Sequence, residues 1–198
     1  MFTGIIEVLG EITEVIVEGT NHSFWISSLK SDEFKIDQSV AHDGVCLTVD
    51  ALIPGKHRVT AIDQTLSITA LSQWKTGRIV NMETCMQLNG KLDGHIVQGH
   101  VDCTATCIEK VDKDGSWLFK FEFPVQFTNN IVEKGSICIN GTSLTIFDIS
   151  TKHFHVAIIP YTYEHTNFEY VEIGDIVNIE FDILGKYINR YLSNISIK

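Results

Sequence analysis

Residue 46 is a cysteine and residue 143 a serine, and each stands in nearly the same phrase, "AHDGVCLTV" at 41–49 and "CINGTSLTI" at 138–146. A cysteine becomes a nucleophile once its thiol is deprotonated, and otherwise it offers a small polar wall. His100 adds an imidazole, the side chain that titrates closest to neutral pH and so suits proton transfer. Taken alone, Cys46 reads better as core filling than as a site residue, because free cysteine is among the most buried residue types. The five cysteines, Cys46, Cys85, Cys103, Cys107 and Cys138, show no CxxC spacing and read as reduced thiols. His95, His100, Cys103 and Cys107 are close in sequence but share one turn-plus-strand segment with no matching pair elsewhere, so no metal site and no cofactor is expected.

The two phrases belong to a longer repeat. Placing Gly44 on Gly141 sets an offset of 97, and Leu47-Thr48-Val49 then falls on Leu144-Thr145-Ile146. In the same register Thr65 meets Thr162, Thr69 meets Thr166, Gly77 meets Gly174, and "IVNME" at 79–83 meets "IVNIE" at 176–180. The chain is therefore an internal duplication. A one-residue adjustment is expected to bring "FTGI" at 2–5 onto "QGHV" at 98–101, which sets Gly4 against His100.

Elements that could position these residues are strands. "HRVTAI" at 57–62 and "HFHVAII" at 153–159 are rich in β-branched and aromatic residues, and "PGK", "KDG" and "ING" mark turns. Each copy has room for six short strands, and an antiparallel sheet of that size hides its edges by closing. The expected fold is all-β: two similar antiparallel six-stranded barrels, at 1–88 and 89–184, joined through "QLNGKLDG", then a C-terminal α-helix over 185–198. In the tail Leu184, Tyr187, Ile188, Tyr191, Leu192 and Ile195 recur at helical spacing, a stripe suited to packing against sister chains.

Composition narrows the partners. The 198 residues are 44% hydrophobic and carry a net charge of −10, which repels phosphate backbones and argues against nucleic acid. No apolar run suits a membrane helix and the first residues lack a basic secretory start, so a soluble cytoplasmic protein is expected.

Five motifs in order, "MFTGIIE", "SVAHDGVCLTV", "DGHIVQGHVD", "KGSICINGTSLT" and "IIPYTYEHT", make the chain resemble the riboflavin synthase alpha-chain family from end to end. The resemblance implies a homotrimer whose active site lies between the N-barrel of one subunit and the C-barrel of its neighbour. It implies dismutation of two molecules of 6,7-dimethyl-8-ribityllumazine, two per site, to riboflavin and 5-amino-6-ribitylamino-uracil. It also admits association with lumazine synthase. Duplication then supplies two related pockets for one ligand, and the change from Cys46 to Ser143 supplies an asymmetry between donor and acceptor.

Ser39, Lys134, Ser143 and Asp182 join Cys46 and His100 in the active site by this resemblance. Lys134 would neutralise developing negative charge, with Asp182 and the hydroxyls ordering ligand contacts. For substrate contact it implies Gly4, Ile5, Ile6, Cys46, Leu47, Thr48, Thr60, Ala61, Ile62, Asp63, Gln64 and Thr65 from the first copy. From the second it implies Gly99, His100, Val101, Lys134, Ser143, Leu144, Thr145, Ala157, Ile158, Ile159, Pro160, Tyr161 and Thr162. The family usually has an acidic residue before each pocket threonine, where this chain has Gln64 and Tyr161; Asp43 stands in place of a common asparagine and Asp93 in place of a glycine. His42 and His95 read as structural, His153 and His155 as one solvated strand face, and Phe2, Trp25, Trp74 and Trp117 mostly as core. Two alternatives stay open: an antenna-type carrier that binds lumazine or flavin without turnover, and a flavin-dependent reductase, for which the chain has no room for a nucleotide-binding domain.

Overall fold

The computed structural model describes residues 1–195; the last three positions of the expected 185–198 segment lie outside the described residues. Two closed antiparallel barrels of six strands each account for most of the chain. The first contains β1 (Val8–Glu18), β2 (Asn21–Ser28), β3 (Ser39–His42), β4 (Val45–Ile53), β5 (Lys56–Ala61) and β6 (Ile79–Thr84), in the order β1-β2-β5-β4-β3-β6. The second contains β7 (Cys103–Asp112), β8 (Trp117–Glu122), β9 (Ser136–Ile139), β10 (Thr142–Phe147), β11 (His153–Ile158) and β12 (Ile176–Phe181). Short helices α1 (Asp63–Ile68) and α2 (Pro160–His165) follow the fifth strand of each barrel, and α3 (Ile183–Ile195) follows the last strand. No helix among the described residues is long and apolar enough to cross a membrane.

Period-two alternation sorts each strand into an inner and an outer face. On β4, Val45, Leu47 and Val49 are buried inside the barrel, while Cys46, Thr48 and Asp50 lie on the outer face. Phe119, Phe121, Phe154, Phe168 and Phe181 dominate the second core, and Phe24 and Trp74, with ring centroids 5.0 Å apart, the first. Of the aromatic residues expected inside, Phe2 and Trp74 are buried, and Trp25 and Trp117 are half-buried. His42 has a structural role: its Nε2 lies 2.8 Å from Nε2 of His57, whose Nδ1 lies 2.9 Å from Ser31 Oγ, all in the barrel interior. His155 is buried against Asp148 rather than solvated, at 3.1 Å, while His153 keeps partial exposure.

The repeat holds in three dimensions with one correction. The first two strands of the copies match at an offset of 95, since the register shift between Ile12 and Glu14 in β1 recurs between Cys107 and Glu109 in β7. From the third strand onward the offset is 97, as Ser39 and Ser136 open β3 and β9. Two extra residues therefore enter between the second and third strands, where a 3-10 turn of Ser31–Glu33 is replaced by the longer Val125–Asn130. Gly4 accordingly corresponds to Gly99, both with φ near +80° at 78° and 81°, and not to His100, whose counterpart is Ile5.

A local pseudo-two-fold relates the barrels. Phe2 and Val97, which are each other's counterparts, exchange backbone hydrogen bonds of 2.7 and 3.1 Å. Gly44 and Gly141 meet so closely that a Cβ on Gly44 would lie 2.7 Å from Gly141 N. Asn81 Nδ2 donates to Asn140 O and Asn178 Nδ2 donates to Asp43 O, each at 2.9 Å, giving the seam a symmetric pair of buried amide contacts. Asp43 breaks the symmetry, because a carboxylate replaces the amide of Asn140. Burial raises its pKa to about 6, against the opposing attraction of Arg78 at 3.8 Å and hydrogen bonds from Asn81 and Asn167.

Candidate functional site

The second barrel carries an open pocket of about 360 Å³ on its outer face. β10 presents Ser143 and Thr145 there, β11 presents Ala157, and Ile159 and Thr162 come from the start of α2 and the residue before it. Ile5, Asp93, Gly94, Ser136, Leu144 and Ile158 complete the wall. The structure thus brings together eight residues expected to contact substrate and adds Asp93, Gly94 and Ser136. Ser136 was legible in the sequence as the counterpart of Ser39 at the 97 offset. Asp93 takes up a wall position at one of the departures from the usual family pattern.

His95 enters this site although its sequence context suggested only a structural role. Its Nδ1 lies 2.7 Å from Ser143 Oγ, and its backbone N–H donates to Thr3 O at 3.0 Å. Gly94 makes that approach sterically possible, since a Cβ there would lie 2.1 Å from Thr3 O. Burial lowers the His95 pKa below its ordinary value, with the Asp182 carboxylate pulling the other way. Asp182 also receives the Leu184 N–H at 3.0 Å, which fixes it at the entry to α3. Lys134 is exposed, with φ of 64°, two residues before Ser136. Tyr161 is exposed and stacks on His165 with ring centroids 4.1 Å apart.

The equivalent face of the first barrel gathers Ser39 from β3 and Cys46 and Thr48 from β4, where Ser39 is paired with Thr48. Thr60 shares this outer face and is held by Ser23 Oγ at 2.8 Å and by the Asp50 carboxylate. Ile62, Asp63 and Gln64 are exposed and Thr65 is half-buried at the start of α1. Leu47 and Ala61, at 6% and 0% exposure, point into the barrel, so only their backbone is available to a ligand. Burial raises the Cys46 thiol above its ordinary pKa, while a hydrogen bond with Ser39 opposes that shift. The thiol is therefore protonated near neutral pH, which favours a polar wall over a resting thiolate.

Gly99 and His100 reach this barrel from the second repeat. Gly99 O accepts the Cys46 N–H at 2.8 Å, and Val101 packs into the first barrel's core. His100 is exposed and lines a cleft with Val101, Ile183 and Tyr187. Gly4 and Ile5 make the reciprocal crossing, with Gly4 O accepting the Ser143 N–H at 2.7 Å, and Ile6 lies beside Gly141. The six expected catalytic residues thus divide: Ser39 and Cys46 lie on the first barrel's face, Ser143 lines the second's, Asp182 acts on His95 there and Lys134 is near it, while His100, the counterpart of Ile5, lines the cleft beside α3. Among the described residues no group of three or more His, Cys, Asp or Glu side chains is placed to hold a metal ion.

Two related faces on two closed six-stranded barrels define a tandem small-molecule-binding double barrel. The Lumazine binding domain family matches the chain twice, over residues 3–85 and 98–182. Those bounds reproduce the offset of 95 at the start of the repeat and 97 at its end. The chain is 38% identical to the riboflavin synthase of Actinobacillus pleuropneumoniae and 36% identical to that of Bacillus subtilis (strain 168). Each alignment covers 97% of this chain and 90% of the relative. The chain belongs to the riboflavin synthase family. Crystal structures of LumP complexed with riboflavin and with 6,7-dimethyl-8-(1'-D-ribityl) lumazine share the fold, with TM-scores of 0.85 and 0.84 at 24% and 22% identity. Both cover 91% of this chain and 99% of LumP, and at that identity they establish architecture alone.

Proposed function

We propose that this chain is a cofactor-independent riboflavin synthase acting in the cytoplasm: it binds two molecules of 6,7-dimethyl-8-ribityllumazine and transfers a four-carbon unit from one to the other. The products are riboflavin and 5-amino-6-ribitylamino-uracil. The observation that carries this reading is the pair of pseudo-symmetric faces whose walls differ at equivalent points, Cys46 against Ser143 and Ile5 against His100. A reaction between two identical molecules needs similar pockets that treat their occupants differently.

The chemistry asked of the protein is positioning and proton management. The electron-poor lumazine ring makes its C7 methyl acidic, so a group that holds the proton at the right moment suffices. The neutral imidazole of His95 at the Ser143 hydroxyl supplies such a group on the second barrel, and the exposed His100 supplies one beside the first. The protonated Cys46 thiol and Ser39 order the ring on the first barrel, and Lys134 and Asp182 balance charge around the second.

Because these residues divide between separate faces of one chain, the complete site is assigned to the first barrel of one subunit and the second barrel of its neighbour. A homotrimer held by α3 closes that arrangement, with 1–88, 89–184 and 185–198 as its two barrels and tail, and lumazine synthase is an external partner to be tested by co-sedimentation. The functional test is to incubate purified protein with 6,7-dimethyl-8-ribityllumazine, with and without chelator, and to follow riboflavin fluorescence. One riboflavin per two lumazines consumed, unchanged by chelator, is the expected result. Stoichiometric binding without turnover would select a carrier instead.

A further inference from the structure

The first residues of the two repeats run along the seam, and a buried carboxylate grips each one. Glu83 on β6, 4% exposed, accepts the Thr3 N–H at 2.7 Å, the Thr3 hydroxyl at 2.8 Å and the Gly4 N–H at 3.0 Å. Glu180 on β12, 2% exposed, accepts the N–H groups of Gln98 at 2.7 Å, Gly99 at 2.9 Å and His100 at 2.8 Å. Three donors converging on one carboxylate form a stiff, charge-assisted clamp.

The carbonyl groups of the gripped segments serve the opposite barrel. Gly4 O receives the N–H of Ser143 on the second barrel at 2.7 Å, and Gly99 O receives the N–H of Cys46 on the first at 2.8 Å. The packing is equally crossed: a Cβ on Gly4 would lie 2.6 Å from Ser143 Cβ, and a Cβ on Gly99 2.6 Å from Cys46 Cβ. We propose that Glu83 and Glu180 are positioning residues that act across the seam, Glu83 of the first barrel fixing the Ser143 wall of the second, and Glu180 of the second fixing the Cys46 wall and the His100 backbone at the first. The importance of these walls rests on the function proposed above, but the crossing itself is a matter of geometry and can be tested without substrate. A carboxylate that only braced its own barrel would have its effect there.

Cys46 reports on the first barrel. Its alkylation by iodoacetamide, resolved by peptide mass spectrometry, is to be compared in the unsubstituted chain, Glu83→Gln and Glu180→Gln, with circular dichroism to check folding and the buried Cys107 as an internal control. An amide cannot accept all three donors as the carboxylate does, so the gripped segment loosens. Glu180→Gln should change the Cys46 rate by about tenfold while Cys107 stays protected, the effect of making a local opening easier by one charge-assisted hydrogen bond. Glu83→Gln should leave Cys46 within about twofold, although it sits in the same barrel, and should instead shift the ring 15N resonances of His95. Gly99→Ala and Gly4→Ala make the same comparison by collision, and Glu180→Asp replaces Glu180→Gln if the latter does not fold. Equal effects of the two glutamine variants on Cys46, a larger effect from Glu83→Gln, or no effect from any variant on the Glu180 side would overturn the proposal. Because no lumazine is present, failure to turn over substrate bears on the functional reading and leaves this result intact.

Discussion

The imidazole Nδ1 of His95 and the hydroxyl oxygen of Ser143 lie 2.7 Å apart on the wall of the second pocket, and no hydrogen-bond partner is found for Nε2 of the same ring. Burial keeps the ring neutral around pH 7, so it can take up or release a proton through Ser143. His95→Gln should lower kcat by about a hundredfold with KM little changed, the size of effect usual for a general acid or base. Asp182→Asn removes the interaction that raises the His95 pKa, so the acid limb of kcat/KM should move to lower pH. Steady-state riboflavin fluorescence from pH 5 to 8 measures both, and an unmoved limb would separate Asp182 from the histidine.

Cys46 is expected to act as a protonated wall. Its alkylation should keep accelerating through pH 9, because burial holds the thiol above its ordinary value. Cys46→Ser should slow turnover by about tenfold or less, since a hydroxyl preserves the polar contact with Ser39. A rate plateau near neutral pH, together with an inactive serine variant, would establish a thiolate nucleophile.

Asp43 offers a test of stability against pH. Its pKa is raised from 3.8 to about 6, so the folded state favours the protonated form. The associated stabilisation is complete below the unfolded value and is lost as pH rises through 6. Asn140 shows that an amide fits the equivalent place, accepting the Asn178 N–H at 2.8 Å. Asp43→Asn should therefore gain about 1–2 kcal/mol at pH 7.5, after allowing for the lost Arg78 attraction, and roughly a third of that at pH 4.5. Thermal melts at the two pH values decide it; an equal shift at both would point to packing instead of charge.

On α3 the residues Leu184, Tyr187, Ile188, Tyr191, Leu192 and Ile195 are 52–71% exposed in the single chain. The helix is anchored by Lys186 to Asp102 at 2.9 Å and by Asn189 Nδ2 to Asn130 Oδ1, also at 2.9 Å. Ile188→Glu with Ile195→Glu charges the stripe without touching those anchors. If the proposed trimer and its shared sites hold, the pair should leave the barrels folded, reduce the sedimenting species to monomer, and abolish most activity. A trimer that survives would place the interface on the barrels.

The duplication, the paired glycines and the helical stripe were legible because each depends on local residue type and spacing. The offset between Gly4 and Gly99 was not, since the two extra residues sit in a link whose own sequence is not repeated, and only strand pairing dates the change of register to that point. His95 was missed for a related reason. Its partner Ser143 is 48 residues away, and nothing in "DGHIV" reveals that a glycine clears the path between them. Leu47 and Ala61 are ligand contacts implied by the family resemblance; the pleat turns their side chains inward, which leaves their backbone to that role.

Val101 lies in the core of the first barrel although it precedes the first strand of the second. A duplicated chain would ordinarily provide two autonomous folding units, but here a residue of the second repeat completes the first core, and each barrel takes a backbone hydrogen bond from the other repeat. Cutting between Thr84 and Val97 leaves the first barrel without Val101 and the Gly99 carbonyl, and the second without the Gly4 carbonyl. With the Phe2–Val97 pairing and the crossed hydrogen bonds tying them together, the two barrels are expected to melt in one cooperative transition.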